Sequence, residues 1–314
     1  MVRFLTVRLS LIVVTLLVVS MAIFTITEIL PGDVATMMFR QYATEQNLKN
    51  VREELGLDRP APVRYISWIG GVVQGDLGDS YFQKRPIVDI ARSRLGNSLI
   101  LAVFAFLVAV PTAVGAGIWA GVRPDTLGDR IVSITSLVGI SLPEFVTGVL
   151  FIVIFSSWLG LFPSTSIVLA GTNPLTRPQI LVLPTLTLTG VLFAYVMRMT
   201  RANVIEVMQT HYVRTAILKG LPMRRVIFRH VVPNAILPTI TIIASNIGWM
   251  LGGLIIVESV FAYPGLGLLV LSSIQTRDVP LLQALALLIA ATYAISNLVA
   301  DLSYAALDPR IRLT

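Results

Sequence analysis

Cysteine is absent from the 314-residue chain, and charge is scarce, with Asp, Glu, Lys and Arg together making up 13%. Without cysteine there is no disulfide framework, no thiolate nucleophile and no Cys-built metal site. A soluble domain usually carries about 25% charged residues. Half that share, with 55% hydrophobic residues and a mean hydropathy of +0.82, excludes a water-soluble globular protein. Disorder is excluded too, because it needs low hydrophobicity and high charge. Histidine occurs only at His211 and His230, away from any acidic cluster, which makes a poor metal site. No Gly-x-x-x-x-Gly-Lys-Ser/Thr, Gly-x-Ser-x-Gly or His-Glu-x-x-His string occurs, and no intramembrane carboxylate pair. Phosphate cradling, serine hydrolysis and zinc proteolysis are therefore not expected of this chain. No repeat of 20–50 residues or low-complexity tract is evident.

What is abundant is long apolar sequence. A helix needs about 20 mostly apolar residues to cross a bilayer. Six intervals between ionisable residues qualify: 9–27, 95–122, 131–158 (interrupted only by Glu144), 178–197, 231–257 and 279–300. The expected fold is an all-α polytopic membrane protein with six spans. The first interval is longer than a usual signal h-region and lacks a small-x-small site before Pro31, so it reads as a retained anchor.

The net charge of +7 bears on orientation rather than on nucleic acid. With the N-terminus inside, thirteen basic residues fall in inside segments and only Arg177 and Arg277 in the short outside loops. The positive-inside bias then puts both termini in the cytoplasm. Residues 31–94 lie outside, with nine basic and eight acidic residues, long enough to be largely exempt from that bias. The expected organisation is 1–30 as N-terminus and first span, 31–94 as a helical external segment, and 95–314 as a five-span core. In the external segment Leu48, Val51 and Leu55 have helical spacing, a second helix runs from Val63 to Val73, and a third starts near Ile87. Turns at Gly75-Asp76 and Gly78-Asp79 separate the last two. This segment is either a cap packed on the spans or a docking surface for an external partner.

Residues 198–238 are the most informative. They hold seven basic residues, one acid (Glu206) and both histidines. Val204, Met208, Tyr212 and Ala216 repeat every fourth residue, which predicts a helix with one apolar stripe. Gly220 breaks it, Pro222 suits the first turn of a second helix, and Pro233 and Pro238 punctuate the start of the fifth span. A basic amphipathic hairpin of this kind can lie on anionic lipid or dock a cytoplasmic protein.

The string Arg214-Thr215-Ala216, three residues, Gly220, nine residues and His230-Val231-Val232-Pro233 resembles the EAA motif of ABC importer permeases. The spacing matches throughout, with Arg214 where the motif has Glu. Tyr212-Val213-Arg214-Thr215-Ala216, Lys219-Gly220-Leu221 and Asn234-Ala235 are similar to the dipeptide/oligopeptide/nickel branch, which habitually replaces that Glu. Leu30-Pro31-Gly32-Asp33, Leu55-Gly56-Leu57-Asp58-Arg59-Pro60, Gly75-Asp76-Leu77-Gly78 with Ser80, Glu258-Ser259-Val260-Phe261 with Pro264-Gly265-Leu266-Gly267, and Leu307-Asp308-Pro309-Arg310 resemble further signatures of that branch, in order along nearly the whole chain.

The resemblance implies a non-enzymatic permease subunit of the bacterial inner membrane, forming half of a translocation path for peptides. Nickel or another small solute is the alternative within the branch, and a secondary transporter is a more distant one. It implies a second six-span permease, two cytoplasmic ABC ATPase domains that bind ATP and Mg, and an external substrate-binding protein. No cofactor, metal or nucleic acid is expected on this chain. Tyr212, Arg214, Thr215, Ala216, Lys219, Gly220 and Leu221 would form the element that couples to an ATPase. Physically, a helix tied to the spans by a glycine turn can pass ATPase closure on as rigid-body motion.

Three polar residues inside spans are candidates for the path: Glu144, Asn246 and Glu258. A carboxylate at mid-span costs about 2.5–3.5 kcal/mol on insertion scales, so Glu144 should face protein or water. Glu258 lies near the outer end of its span, where water could reach it. Bonding between helices is the competing role for all three. Ala113, Gly117 and Gly121, and separately Gly248 and Gly252, form small-residue stripes that signal close helix packing.

Overall fold

The computed structural model describes residues 2–29, 49, 58–168 and 172–307. The expected helix over Leu48, Val51 and Leu55, the Leu30–Asp33 signature and residues 308–310 of the C-terminal signature lie outside them, as does the first half, 55–57, of the 55–60 signature. Among the described residues the secondary structure is helical apart from one isolated bridge between Asp79 and Pro86. Among the described residues, five helices are each long and apolar enough to cross a membrane, and a sixth span results if one bent pair counts as one.

Contacts divide the chain into two units, one of Met1–Gly96 with Gly265–Ala294, the other of Asn97–Pro264 with Ile295–Thr314. The first unit begins with α1 (Val2–Ile29). Only 6% of its most apolar window is buried, as suits a helix whose solvent is lipid. There the hydroxyls of Ser10, Thr25 and Thr27 donate to carbonyls one turn back, so these three are not left bare in hydrocarbon. α2 (Ala61–Val73) packs on α1. Phe24 meets Tyr65 edge-on at 5.4 Å, Ser20 and Tyr65 share a hydroxyl bond of 2.8 Å, and Arg64 pairs with Glu28. The predicted turns are present, with Gly75 at φ +84° and Gly78 at φ +77°.

α3 (Ile87–Val122) starts in this unit and continues into the other. Its first turns bury Ile87, Ile90 and Ala91 against Leu266 and Leu269 of α10 (Leu266–Thr276) and Leu281 and Leu285 of α11 (Val279–Leu307). Before α11 stands Asp278, 1% exposed. Its carboxylate accepts from the Ser80 hydroxyl and from the backbone N–H groups of Tyr81 and Phe82 at 3.1 Å each. The same carboxylate accepts from the Leu281 N–H at 3.4 Å, capping α11. Tyr81 beside it has its phenol raised above the usual value by burial and by the Asp278 charge. The short helix α10 was not expected from the sequence. Eleven residues rise only about 16 Å, half of the hydrocarbon thickness.

The second unit centres on α6 (Gln179–Met208), whose apolar window is 72% buried. It packs on α4 (Leu127–Ser141) and on α9 (Val232–Val260). The first glycine stripe is where α3 meets α6. A Cβ on Gly117 would stand 2.6 Å from the Thr200 Cβ, and one on Gly121 would stand 2.7 Å from the Val204 Cβ. The second stripe does not behave so: a Cβ on Gly252 would meet nothing within 4 Å, and the close neighbour is Gly253. The Asn203 amide donates to the Ala235 carbonyl at 3.2 Å, a polar tie between α6 and α9.

The third expected span is not one helix. α4 ends at Ser141, and α5 (Glu144–Phe151, continued to Trp158 by a π-helical stretch) leaves at 111° to it. The cause is local. A residue before proline is pushed out of the helical region, and Leu142 (φ −94°, ψ 127°) and Pro143 (φ −58°, ψ 146°) are both extended. Two non-helical residues in succession turn the chain. Pro111 and Pro184, by contrast, lie inside continuous helices.

Candidate functional site

The hairpin after α6 is the best-formed candidate. α6 ends at Met208, and Thr210 is extended (φ −70°, ψ 151°), which turns the chain into α7 (His211–Leu218). The apolar stripe expected to run from Val204 through Tyr212 on one helix is therefore broken at Gln209 and Thr210. α7 instead buries Val213 and Ala216, three residues apart. They join Val204, Val226, Val231 and Ala235 in one cluster, with Leu221 at its edge. Tyr212 lies on the other side, 45% exposed, its hydroxyl only 3.4 Å from the His230 carbonyl.

The end of α7 explains Gly220. The Gly220 N–H donates to the Ile217 carbonyl and the Leu221 N–H to the Ala216 carbonyl. That pair of bonds is a Schellman motif, which needs a left-handed residue just past the helix. Gly220 supplies it, at φ +75°. No atom lies within 4 Å of where its Cβ would be, so the requirement is one of conformation and not of space. Leu221 folds back on Ala216 in the same cluster, the apolar contact that accompanies this motif.

After Pro222 come α8 (Met223–Val226) and a π-helical turn (Ile227–Val231) that leads into α9. Of the seven residues chosen from sequence, Tyr212, Arg214, Thr215, Lys219 and Gly220 face outward, whereas Ala216 and Leu221 hold the hairpin to its base. Ile217 and Leu218 were not chosen, yet both are exposed, Leu218 at 81%. Their signal was available: two apolar residues off the buried register, just before the glycine.

A second feature was missed. Arg201 on α6 grips Asp129 of α4 through two bonds, Nε to Oδ1 at 2.5 Å and Nη2 to Oδ2 at 2.7 Å. Asp129 is 2% exposed and also accepts from the Asp125 N–H and the Ser133 hydroxyl. Thr126 caps this helix by accepting from the Asp129 N–H. The threonine followed at the third position by an acid was the legible sign of a helix start. The arginine partner lies 72 residues on and carried no sign of its own.

The three polar span residues are not brought together. Glu144 opens α5 at the break, half-buried. Its Oε1 stands 3.2 Å from where a Cβ on Gly253 would be, so the bare backbone of α9 makes room for it. Its carboxylate has no hydrogen-bond or ion-pair partner among the described residues. Asn246 donates to the Ile242 carbonyl of its own helix at 2.8 Å and bridges to no other helix among the described residues. Glu258, expected where water could reach it, is fully buried and accepts from the Ser98 hydroxyl of α3. Tyr263 close by donates to the Asn97 carbonyl at 2.8 Å.

Comparison with known proteins finds relatives along most of the chain. The family described as "Binding-protein-dependent transport system inner membrane component" matches residues 113–313, and its N-terminal counterpart matches residues 1–102. The chain is 36% identical over 299 residues to a protein of Sinorhizobium fredii named probable peptide ABC transporter permease protein y4tP, covering 94% of each chain. It is 38% identical over 298 residues to the glutathione transport system permease protein GsiC of Escherichia coli K12, covering 95% of each. With both family patterns matched along nearly its whole length, the chain belongs to the binding-protein-dependent transport system inner membrane components.

Proposed function

We propose that this chain is one membrane-embedded half of an ATP-driven importer for peptides. It pairs with a second six-span permease, an external binding protein delivers the solute, and ATP is hydrolysed on two separate cytoplasmic ATPase domains. The observation that carries the reading is the α7 hairpin: an eight-residue helix locked onto the ends of α6 and α9 by Val213 and Ala216, with Tyr212, Arg214, Ile217, Leu218 and Lys219 turned outward. A protrusion so fixed moves with the helices that carry it. The basic excess of 198–238 supports a cytoplasmic hairpin and cytoplasmic termini. The names of the relatives support a peptide or glutathione-like solute, both of the amide-linked class.

Glu144 supports a path at the helix break, where an unpartnered carboxylate gains most from water or solute. Asn246 is a weaker candidate, and Glu258 acts in this conformation as a tie between helices. The test is uptake of labelled di- and oligopeptides into proteoliposomes that hold the complete complex and its binding protein. Uptake should require ATP and the binding protein, with glutathione as the competitor to compare. Peptide uptake by the permease without ATPase subunits would overturn the reading.

A further inference from the structure

Beyond the α7 tip, the start of the fifth span carries a second basic feature, outside the seven residues read as the coupling element. An open surface groove of about 670 Å³ is lined by Pro222, Arg224, Arg225, Phe228, Arg229 and Pro233. None of the three guanidiniums has an ion pair or hydrogen bond among the described residues. No acid lines the groove, and Phe228 beside them is 63% exposed.

From Arg224 on, these residues fall in the first turns of the helical stretch Met223–Gly248, which contains a window apolar enough to enter a membrane. At about 1.5 Å of rise per residue, Arg229 is within about 10 Å of its start. That is headgroup depth, where aromatic rings and snorkelling guanidiniums gather. One turn past Pro233 the surface turns apolar, with Leu237 46% exposed. The site thus runs from unpaired guanidiniums to bare hydrocarbon within a few turns. An acidic groove of a soluble protein would match only the basic end. A phosphate-bearing molecule with an attached acyl chain matches both.

We propose that Arg224, Arg225 and Arg229 bind the phosphate headgroup of an anionic phospholipid, which packs its chains along Phe228, Pro233 and Leu237. Guanidinium forks suit phosphate oxygens in geometry as well as charge. The bound lipid wedges the foot of α9 beside the hairpin.

The test is lipid retention by the complete, purified complex in nanodiscs of phosphatidylcholine with a small fraction of phosphatidylglycerol, read by native mass spectrometry after partial delipidation. Wild type should hold phosphatidylglycerol above its bulk share. With each guanidinium contributing about fivefold, Arg224→Gln, Arg225→Gln and Arg229→Gln together should weaken retention roughly a hundredfold. A variant neutralised at Arg123 and Arg130 instead should retain it. If the triple variant inserts poorly, Arg229→Gln with Leu237→Gln tests the two ends of the site with less change in charge. Equal retention by wild type and the variants overturns the proposal. So does a triple variant that keeps its phosphatidylglycerol and sheds its ATPase subunits, which would make the groove a protein-docking surface.

Discussion

Replacing Gly220 separates conformation from space more cleanly than any other change in the hairpin. The residue has φ +75°, and no atom lies within 4 Å of a Cβ built there. A substitution therefore meets a backbone cost and no collision. The left-handed region costs an ordinary L-residue about 1–2 kcal/mol, while Asn adopts it readily. A β-branched residue sits near the top of the 1–3 kcal/mol range for strained backbone. α7 is held by two buried side chains, so this strain falls on a small contact. A cost of about 2 kcal/mol shifts the docked state of the hairpin about thirtyfold. Activity should fall in the order Gly, Asn, Ala, Val. In Gly220→Val, solute capture by the binding protein should be unchanged, while retained ATPase subunits, solute-stimulated ATP hydrolysis and uptake fall together. A Gly220→Val protein that inserts normally, keeps its ATPases and transports at the wild-type rate refutes the coupling role. A Gly220→Asn protein as impaired as Gly220→Val refutes the conformational argument itself.

Other expectations follow from the same geometry. Gly117→Val places a Cβ 2.6 Å from Thr200, and should destabilise the purified protein by about 1–3 kcal/mol or more, seen as a lowered Tm in detergent; Gly115→Ala, with nothing within 4 Å, should not. Asp129→Asn should cost about 1.5–3 kcal/mol by breaking charged bonds to Arg201. A double-mutant cycle with Arg201→Met should recover much of that loss, and additive effects would show that the pair does not act together. For orientation, a cysteine replacing Gln83 should react with an impermeant thiol reagent on intact cells, and one replacing Gln209 should not. Labelling of the latter in sealed cells contradicts the inside placement of the hairpin.

Much of the fold was legible because one-dimensional signals decided it. Apolar runs between charges marked the spans, and Gly220 with Leu221-Pro222 marked a turn that the Schellman bonds then fix in detail. The failures have a common cause, a choice made by packing rather than by local pattern. The register Val204, Met208, Tyr212 and Ala216 was a fair stripe on an unbroken helix, but the helix ends at Met208 and Val213 takes the buried place. The run 131–158 was apolar enough for one span, and only the backbone at Leu142 and Pro143 shows that two helices leave it at 111°. Glu258 read as reachable by water because sequence cannot place Ser98 next to it. α10 was hidden because its eleven residues, with Ser272, Ser273, Gln275 and Thr276 in the last turns, make no apolar run of spanning length.

The Asp278 clasp also orders events during synthesis. Its carboxylate is made 198 residues after the Ser80 hydroxyl that it accepts from. At about 5–20 residues per second, that interval lasts about 10–40 s. For nearly all of it the first-made unit lacks α10, and throughout it lacks α11, so the apolar side chains of Ile87, Ile90 and Ala91 have yet to meet the full set of partners that bury them. The earliest part of the chain thus waits on the latest to complete its core. Truncation before Asp278 leaves that end of the molecule open however well the middle has folded.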